Sequence, residues 1–463
     1  MKNVILKFVA YLIVTIIVTY FLGEAVATLW YIVLLILYAR SNDEPFWLAF
    51  FLTVSDGFIG FLGSYSMLLS ILPGLPAIDI AQFYIIIALV KIYKGKKKDK
   101  PYYSKWTLML MVYAILLIFI GMMNGLSGAT NIYFRIVKLI APLILFYIVP
   151  RLMKNVKDYE MFFRLIFFVF ILGFAAQVFT VYSGFSPAGN LKIFEEEQME
   201  AGKDLRTFYN TAITLVSLFG AIFFLSIKNN TSFPKYYLYA IAGMTFFMAF
   251  LSATRGWIIA IGFILALFFI IVQKGKKVLQ ISLLFVVLIA IGMTNAKIRD
   301  QITFSMERFM TLEAMAGGDQ TANGSLLRLT ERGPKVMAFW EQHPVFGWGW
   351  SNVYMENNDP HVGNQNILMH SGVVGFSLMM LFFLFFIFKM FTLARKLDSK
   401  NNYKSTGLTF IVFFIGWFFL HSTSGQQFCY GSLPDHIFPQ AVFLGMSSVL
   451  FNITKIKQAT HEV

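Results

Sequence analysis

The sequence predicts an all-α polytopic membrane protein with about fourteen transmembrane helices. Of its 463 residues, 58% are hydrophobic and only 13% are charged. Soluble domains average about 45–50% apolar and about 25% charged residues. The apolar residues also form long runs, and a helix needs about 20 such residues to cross a membrane. This composition excludes a soluble enzyme, a disordered chain and a disulfide scaffold.

The predicted spans follow one another through the whole chain, which we interpret as a single membrane domain over 1–463. In chain order they lie near residues 4–22, 24–39, 46–72, 76–94, 106–123, 131–150, 159–182, 209–227, 235–254, 256–272, 278–294, 367–393, 405–424 and 435–451. Ala25-Val26-Ala27 resembles a signal-peptidase site. However, the preceding apolar run of about 19 residues exceeds the 7–15 of a signal peptide, so we interpret it as an uncleaved span.

Basic residues between the spans indicate their orientation. Lysines and arginines cluster near 91–105, 151–157, 274–277 and 395–404, all on one side when fourteen spans are counted. The opposite short loops near 122–130 and 421–436 contain none. The positive-inside rule therefore predicts that both termini and the basic loops are cytoplasmic. The net charge of +14 follows from this topology, so anionic lipid, and not nucleic acid, is the expected partner.

Two segments on the opposite, outer side are long, 184–208 and 295–366, and the second is predicted to be mostly helical and to carry the site. Five of the six histidines lie at or near this side: His343, His361, His370, His421 and His436. Because histidine titrates near pH 6.5, a membrane protein has little use for it away from water or substrate. We therefore expect the chemistry at the outer face.

The large outer segment contains a pair of arginines followed by a glycine-rich turn. Arg328 and Arg332 are four residues apart and share one face of a helix, either to bind an anion or as a solvated charged face. Pro334 is predicted to start the next helix. The stretch 343–350, His-Pro-Val-Phe-Gly-Trp-Gly-Trp, is typical of a glycine-hinged turn. Its tryptophans are interpreted as interface anchors or as glycan contacts.

Arg255, Arg135 and Asp56 are ionisable groups within or at the ends of spans and are candidates for function. Arg255 has no carboxylate near it in sequence, so it is expected to bind an anionic ligand or to reach lipid phosphate. Arg135 has the same two alternatives. Asp56 lies inside the third span and is either functional or, as we favour, hydrogen-bonded to Ser55 or a neighbouring helix.

The sequence lacks the usual patterns of several site types. The single cysteine, Cys429, permits no intramolecular disulfide and no cysteine-rich metal site. The outer histidines lack paired helical spacing, and there is no serine elbow or glycine-rich phosphate loop. We therefore expect no metal and no cofactor.

Four features of this sequence resemble the bacterial O-antigen ligase and O-antigen polymerase family of membrane glycosyltransferases. The first is Ser252-x-x-Arg255-Gly256 at a span boundary. The second is Arg328 followed, fifteen residues later, by the HPxxGxG stretch that begins at His343. The third is His361, which precedes a helix start with glycines at positions 372 and 375. The fourth is the large outer segment before the last three spans.

This resemblance implies a GT-C-like fold in the bacterial cytoplasmic (inner) membrane and a metal-independent glycan transfer at its outer face. The donor would be an undecaprenyl-diphosphate-linked glycan. Arg255 and Arg328 would bind the diphosphate, with support from Arg332 and Arg135, and His361 would be the catalytic base. Further glycan contacts are expected from Arg206, Trp348, Trp350 and Asn364.

Two activities remain open within this family. Fourteen spans resemble polymerases more than the twelve-span ligases, so we favour polymerisation of repeat units into O-antigen, capsule or exopolysaccharide. The alternative is a ligase that transfers the glycan to lipid A-core or protein. A flippase or transporter would favour polar residues within many spans and internal pseudo-symmetry, neither of which is evident. A chain-length regulator and a repeat-unit flippase would be the expected partners.

Overall fold

The structure, a computed structural model, is almost entirely helical over the residues that it describes. These are 2–62, 67–69, 77–95, 100–128, 130–183, 208–273, 278–316, 328–359, 362–398, 401–422 and 437–459. The helices are α1 (Lys2–Phe21), α2 (Glu24–Arg40), α3 (Glu44–Ser55), α4 (Ile80–Lys94), α5 (Ser104–Met123), α6 (Thr130–Ile140), α7 (Leu145–Leu152), α8 (Val156–Ser183), α9 (Thr211–Ser226), α10 (Lys235–Leu251), α11 (Arg255–Leu267), α12 (Val278–Met293), α13 (Ala296–Ala316), α14 (Gly333–Trp340), α15 (Asn352–Asn357), α16 (Asn364–Lys396), α17 (Thr406–Ser422) and α18 (Phe438–Ala459). Strands β1 (Leu68–Leu69) and β2 (Ile78–Asp79) pair antiparallel.

Long apolar helices agree with the predicted membrane fold. Among the described residues, five helices are long and apolar enough to cross a membrane: Asn3–Phe21, Ser104–Met123, Val156–Ser183, Arg255–Val272 and Asn364–Lys396. Five more apolar helices are shorter. Each of the fourteen predicted spans contains a helix. A helical membrane protein is thus confirmed, whereas the number of crossings and the GT-C-like architecture stay predictions.

Helix α9 is the centre of the bundle. All of its residues from Ala212 to Ser226 are buried. A helix whose side chains are buried all round is enclosed by other helices and does not face lipid. Phe219 shows this packing, because its ring lies 5.2 Å from that of Phe410 in α17 and 4.3 Å from that of Phe443 in α18. Helices α8 and α10 cover the remaining sides of α9.

The third predicted span, 46–72, is not one continuous helix. Helix α3 ends at Ser55, because Gly57 adopts a left-handed φ of +89°. The Asp56 carboxylate accepts hydrogen bonds from the backbone N–H groups of Ala212 and Ile213, at 3.1 and 2.9 Å. The N–H groups in the first turn of a helix have no acceptor within that helix, and Asp56 supplies one for α9. The expected hydrogen bond of Asp56 to a neighbouring helix is therefore present, and the apolar run after it turns instead of continuing.

The sixth predicted span, 131–150, is also divided. Helix α6 ends at Ile140, a short 3₁₀ turn covers Ala141–Ile144, and α7 follows. Pro142 lies in this turn and has no backbone N–H to continue the helical bonding of α6. The apolar run in the sequence was therefore correctly located, but proline divides it into two helices.

Candidate active site

Helix α16 is interrupted at Gly372, and the glycine-rich turn 343–350 forms hydrogen bonds with the helix on both sides of the interruption. At Gly372 the backbone has φ +61° and ψ −172°, so the regular hydrogen bonds of the helix stop there. The turn replaces them with four bonds. The N–H groups of Trp348 and Gly349 donate to the carbonyls of Met369 and His370, each at 2.8 Å. The N–H groups of residues 373 and 374 donate to the carbonyls of Pro344 and Val345, at 2.9 and 3.1 Å. The break therefore leaves none of these groups unpaired.

Glycine is required in this contact because the two backbones nearly touch. Gly347 has φ +71°, and a Cβ on it would lie 2.5 Å from the carbonyl oxygen of His370. Gly372 faces the other way, and a Cβ on it would overlap the carbonyl of Val345 and lie 2.5 Å from the nitrogen of Phe346. Both the left-handed φ and the lack of space exclude larger residues. Gly347 and Gly372 therefore allow the backbone of the 343–350 turn to pack directly against the backbone of α16.

Helix α5 completes this junction. The N–H of Trp350 donates to the carbonyl of Leu117 at 3.1 Å, and the Tyr113 hydroxyl donates to the carbonyl of Ser371 at 2.6 Å. A Cβ on Gly121 would lie 2.7 Å from the carbonyl carbon of Trp350. The end of α5, the turn and the start of α16 thus form one rigid junction.

Aromatic side chains fill the interior of the junction. The ring of Trp350 lies 4.5 Å from that of His370, and the ring of Tyr354 lies 4.3 Å from it. Trp350 is 3% exposed and His370 is fully buried. Burial also raises the pKa of the Tyr354 hydroxyl above its usual value. Because its ring is enclosed by protein, Trp350 packs the junction and has no free face for a glycan in this conformation.

Trp348 occupies a different position, next to the first histidine of the turn. Its ring is half-buried and lies 4.0 Å from the ring of His343. Its indole N–H donates to the carbonyl of Phe339 at 2.8 Å, which ties the turn to α14. A half-buried ring with its donor already bonded can still offer a face to a glycan.

A polar network joins the arginine segment to the residues before α16. A π-helical turn, Arg328–Arg332, leads into α14. The Nε atom of Arg332 lies 3.6 Å from Oδ2 of Asp359. The buried side chain of Asn366 accepts from the backbone N–H of Asp359 at 3.1 Å and donates to its carbonyl. The N–H of Val362 donates to the same carbonyl at 3.0 Å. These hydrogen bonds fix the position of Asp359 relative to Val362 and Asn366.

Arg255 begins α11 after a tight turn. It is half-buried, and the preceding Ala253 has a φ of +51°. Helix α13 crosses this turn: Gln301 Nε2 donates to the carbonyl of Leu251 at 2.6 Å, and the Ser305 hydroxyl donates to that of Phe250 at 2.7 Å. These bonds satisfy carbonyls at the end of α10. The large segment after α12 therefore packs directly on the boundary that carries Arg255.

Several predicted site residues cannot be placed at the level of side chains. His361 and Arg206 lie outside the described residues, as does nearly all of the segment 184–208. Arg328 lies in the π-helical turn and Arg135 in α6, but only their backbones are described. Asn364 is half-buried and opens α16. In the described part of the chain, no group of three His, Cys, Asp or Glu side chains could hold a metal ion.

Asp359 and Asn366 are the residues that the sequence analysis did not select. A short acidic or amide side chain in a turn is common, and neither residue stands at a distinctive spacing from a motif. The Asn358-Asp359-Pro360 sequence is typical of a turn and of nothing more specific. Asn366 directly precedes the predicted span that starts near 367, where an amide is commonly exposed, so its buried position was not indicated by the sequence.

Comparison with known proteins supports the family resemblance. Residues 240–380 match a family model described as O-antigen ligase. No curated protein and no solved structure matches the chain. The matched residues run from α10 into α16 and include the Arg255 boundary, the π-helical turn and the contact between the 343–350 turn and α16. The predicted resemblance to the O-antigen ligase and polymerase family is therefore confirmed for this part of the chain, and the match supports an enzyme in general.

Proposed function

We propose that this protein, whose residues 240–380 match the O-antigen ligase family, polymerises lipid-linked oligosaccharide repeat units into a surface polysaccharide. The donor would be a glycan on undecaprenyl diphosphate, and the reaction would take place at the outer face of the bacterial cytoplasmic membrane. A multi-pass protein with both termini in the cytoplasm would place the segment 295–366 at that face. The observation that carries the proposal is the match itself, because it contains Arg255, Arg328, Arg332 and His361 in one continuous segment.

The chemistry is a glycosyl transfer without a metal. A hydroxyl oxygen of the acceptor attacks the anomeric carbon of the donor, and the bond from that carbon to the diphosphate oxygen breaks. His361 takes the hydroxyl proton, because histidine is the side chain that most often serves as a general base. The lipid diphosphate leaves with additional negative charge, which arginine stabilises more in the transition state than in the ground state.

Arginine suits this leaving group better than lysine, because its guanidinium binds phosphate oxygens through two parallel hydrogen bonds. We assign Arg255 and Arg328 to the diphosphate, with Arg332 and Arg135 in support. The contact between Arg332 and Asp359 supports this assignment, because it brings the arginine segment to within two residues of His361 in the chain. Arg206, Trp348 and Asn364 are proposed to contact the glycan.

Transfer to lipid A-core or protein, as by a ligase, is the second candidate. The same family match favours it, since the family description is O-antigen ligase. The two activities use the same donor and differ in the acceptor. The fourteen predicted spans favour the polymerase.

Reconstitution in liposomes with purified lipid-linked repeat units tests the proposal. A polymerase produces a ladder of longer glycans without any added acceptor, whereas a ligase gives product only when lipid A-core or an acceptor protein is added. Absence of product with every acceptor, from protein that is correctly inserted, would overturn the proposal. His361→Ala, which lacks the proposed catalytic base, is the inactive control. It should insert normally into the liposomes and produce no ladder.

A further inference from the structure

The tip of the glycine-rich turn is apolar and uncovered. The side chains of Val345 and Phe346 are 53% and 50% exposed. Glu341 and Gln342, a few residues earlier in the same loop, are exposed as well. Within six residues the exposed surface therefore changes from polar to apolar. Two adjacent large apolar side chains on a surface loop indicate a contact with another apolar phase.

The tip is continuous with the exposed face of α16. Val373 and Val374, 47% and 39% exposed, bind the backbone of Pro344 and Val345 and so lie beside the tip. Further along α16 the exposed large apolar residues are Val374, Leu381, Leu384, Phe388 and Phe391. Their spacing of three, four and seven residues places them on one side of the helix. We call this set the α16 face.

The length of the α16 face matches a lipid bilayer. Phe391 follows Val374 by 17 residues, which is about 26 Å at about 1.5 Å per residue. The hydrocarbon layer of a bilayer is about 30 Å thick. Arg395 and Lys396 end the helix on one side. Val345 and Phe346 lie at the opposite end and extend the apolar surface toward the full thickness of that layer.

We propose that Val345 and Phe346 insert into the lipid acyl chains beside the α16 face and so fix the depth of the glycine-rich turn in the membrane. The turn is hydrogen-bonded to α16 on both sides of the break at Gly372. Its depth therefore also fixes the depth of α14 and of the residues that precede α16. The water boundary would lie between Gln342 and Val345. This contact is with lipid and does not depend on which acceptor the protein uses.

Nitroxide spin labels on single cysteines test this inference. Cys429→Ser removes the native thiol, and Phe346→Cys, Val345→Cys, Gln342→Cys and Leu384→Cys each provide one labelling site. The labelled proteins are placed in liposomes of phosphatidylethanolamine and phosphatidylglycerol. Collision of each label with oxygen, which concentrates in lipid, is compared with collision with a water-soluble nickel chelate.

We expect labels at 345 and 346 to collide more with oxygen than with nickel, as the lipid control at 384 does, and the label at 342 to show the reverse. More collision with nickel at both 345 and 346 would mean that the tip lies in water and would overturn the inference. Protection from both reagents would overturn it too, because the tip would then be covered by protein, such as a second copy of the chain. Val345→Cys provides the reading if Phe346→Cys does not fold.

Discussion

The guanidinium of Arg332 lies against the carboxylate of Asp359, with 3.6 Å between Nε and Oδ2. This contact joins two segments that are 27 residues apart in the chain. Both side chains remain partly open to solvent, at 39% and 23% exposure. An exposed ion pair adds only about 0.2–1 kcal/mol to stability. The pair therefore contributes more to the arrangement of the site than to the stability of the fold.

A charge swap distinguishes two roles of Arg332. If it assists the diphosphate, Arg332→Ala should slow polymerisation about tenfold, or about 1.4 kcal/mol in the barrier, and Asp359→Asn should have a smaller effect. The double variant with Arg332→Asp and Asp359→Arg should be no more active than Arg332→Ala, because the cation has moved. The measurement is the initial rate of ladder formation. Recovery of activity in the double variant would show that the pairing itself is what matters.

Asn366 should contribute more than Asn364 to the stability of the fold and to the rate of polymerisation, although the sequence analysis selected Asn364. The Asn366 side chain bonds both backbone groups of Asp359 in a buried position. Removing such a side chain leaves buried groups unsatisfied, at about 1–3 kcal/mol. Asn366→Ala should lower the unfolding temperature in detergent and slow polymerisation, and Asn364→Ala should leave the unfolding temperature nearly unchanged. Equal loss of stability in the two variants would contradict the assignment.

The motifs of the site could be predicted from sequence, but their mutual contacts could not. The order of Arg255, Arg328, the glycine-rich turn and His361 was sufficient for the family resemblance, and the family match over 240–380 agrees with it. Two facts were inaccessible: that the turn supplies the hydrogen bonds missing at Gly372, and that Trp350 is enclosed by His370 and Tyr354. Such contacts depend on backbones from distant parts of the chain, and hydropathy carries no information about them.

The helical segments were predicted more accurately than the helix ends. Long apolar runs require helices in lipid, because each backbone group must be satisfied internally. A run can still be interrupted where another partner satisfies the backbone, and this occurs at Asp56 and Gly57 and again at Pro142. Hydropathy does not detect such interruptions, since the residues around them are apolar in either case.

Replacing the junction glycines should destabilise the protein strongly. Gly372→Ala and Gly347→Ala each combine a positive φ with overlap against backbone atoms, which cannot move like a side chain. Gly128→Ala is the matched control, because a Cβ there would meet nothing within 4 Å. We expect a clear fall in unfolding temperature for the first two variants and little change for the control. An unchanged unfolding temperature for Gly372→Ala would mean that the contact with the 343–350 turn is not maintained in solution.

The size of the Arg255 effect tests its proposed contact with the diphosphate. Arg255→Ala should slow polymerisation by about 10²–10³, the usual cost of losing one transition-state donor. Arg255→Lys should recover only part of this rate, because an ammonium lacks the two-pronged geometry. Single-turnover rates at saturating donor separate this effect from weaker binding. Full activity of Arg255→Lys would indicate that a positive charge suffices, as for contact with lipid phosphate.

Asp56 should stabilise the fold without taking part in the reaction. Its two oxygens accept the N–H groups of Ala212 and Ile213, so it serves as the cap of α9, the central helix. Losing a helix cap costs about 0.5–2 kcal/mol. Asp56→Ala should therefore lower the unfolding temperature, whereas Asp56→Asn keeps one acceptor oxygen and should lose less. Both variants should polymerise at near-normal rates at a temperature where they are folded, because the carboxylate is occupied by the backbone. Loss of polymerisation in Asp56→Asn at an unchanged unfolding temperature would instead require a role for the negative charge itself.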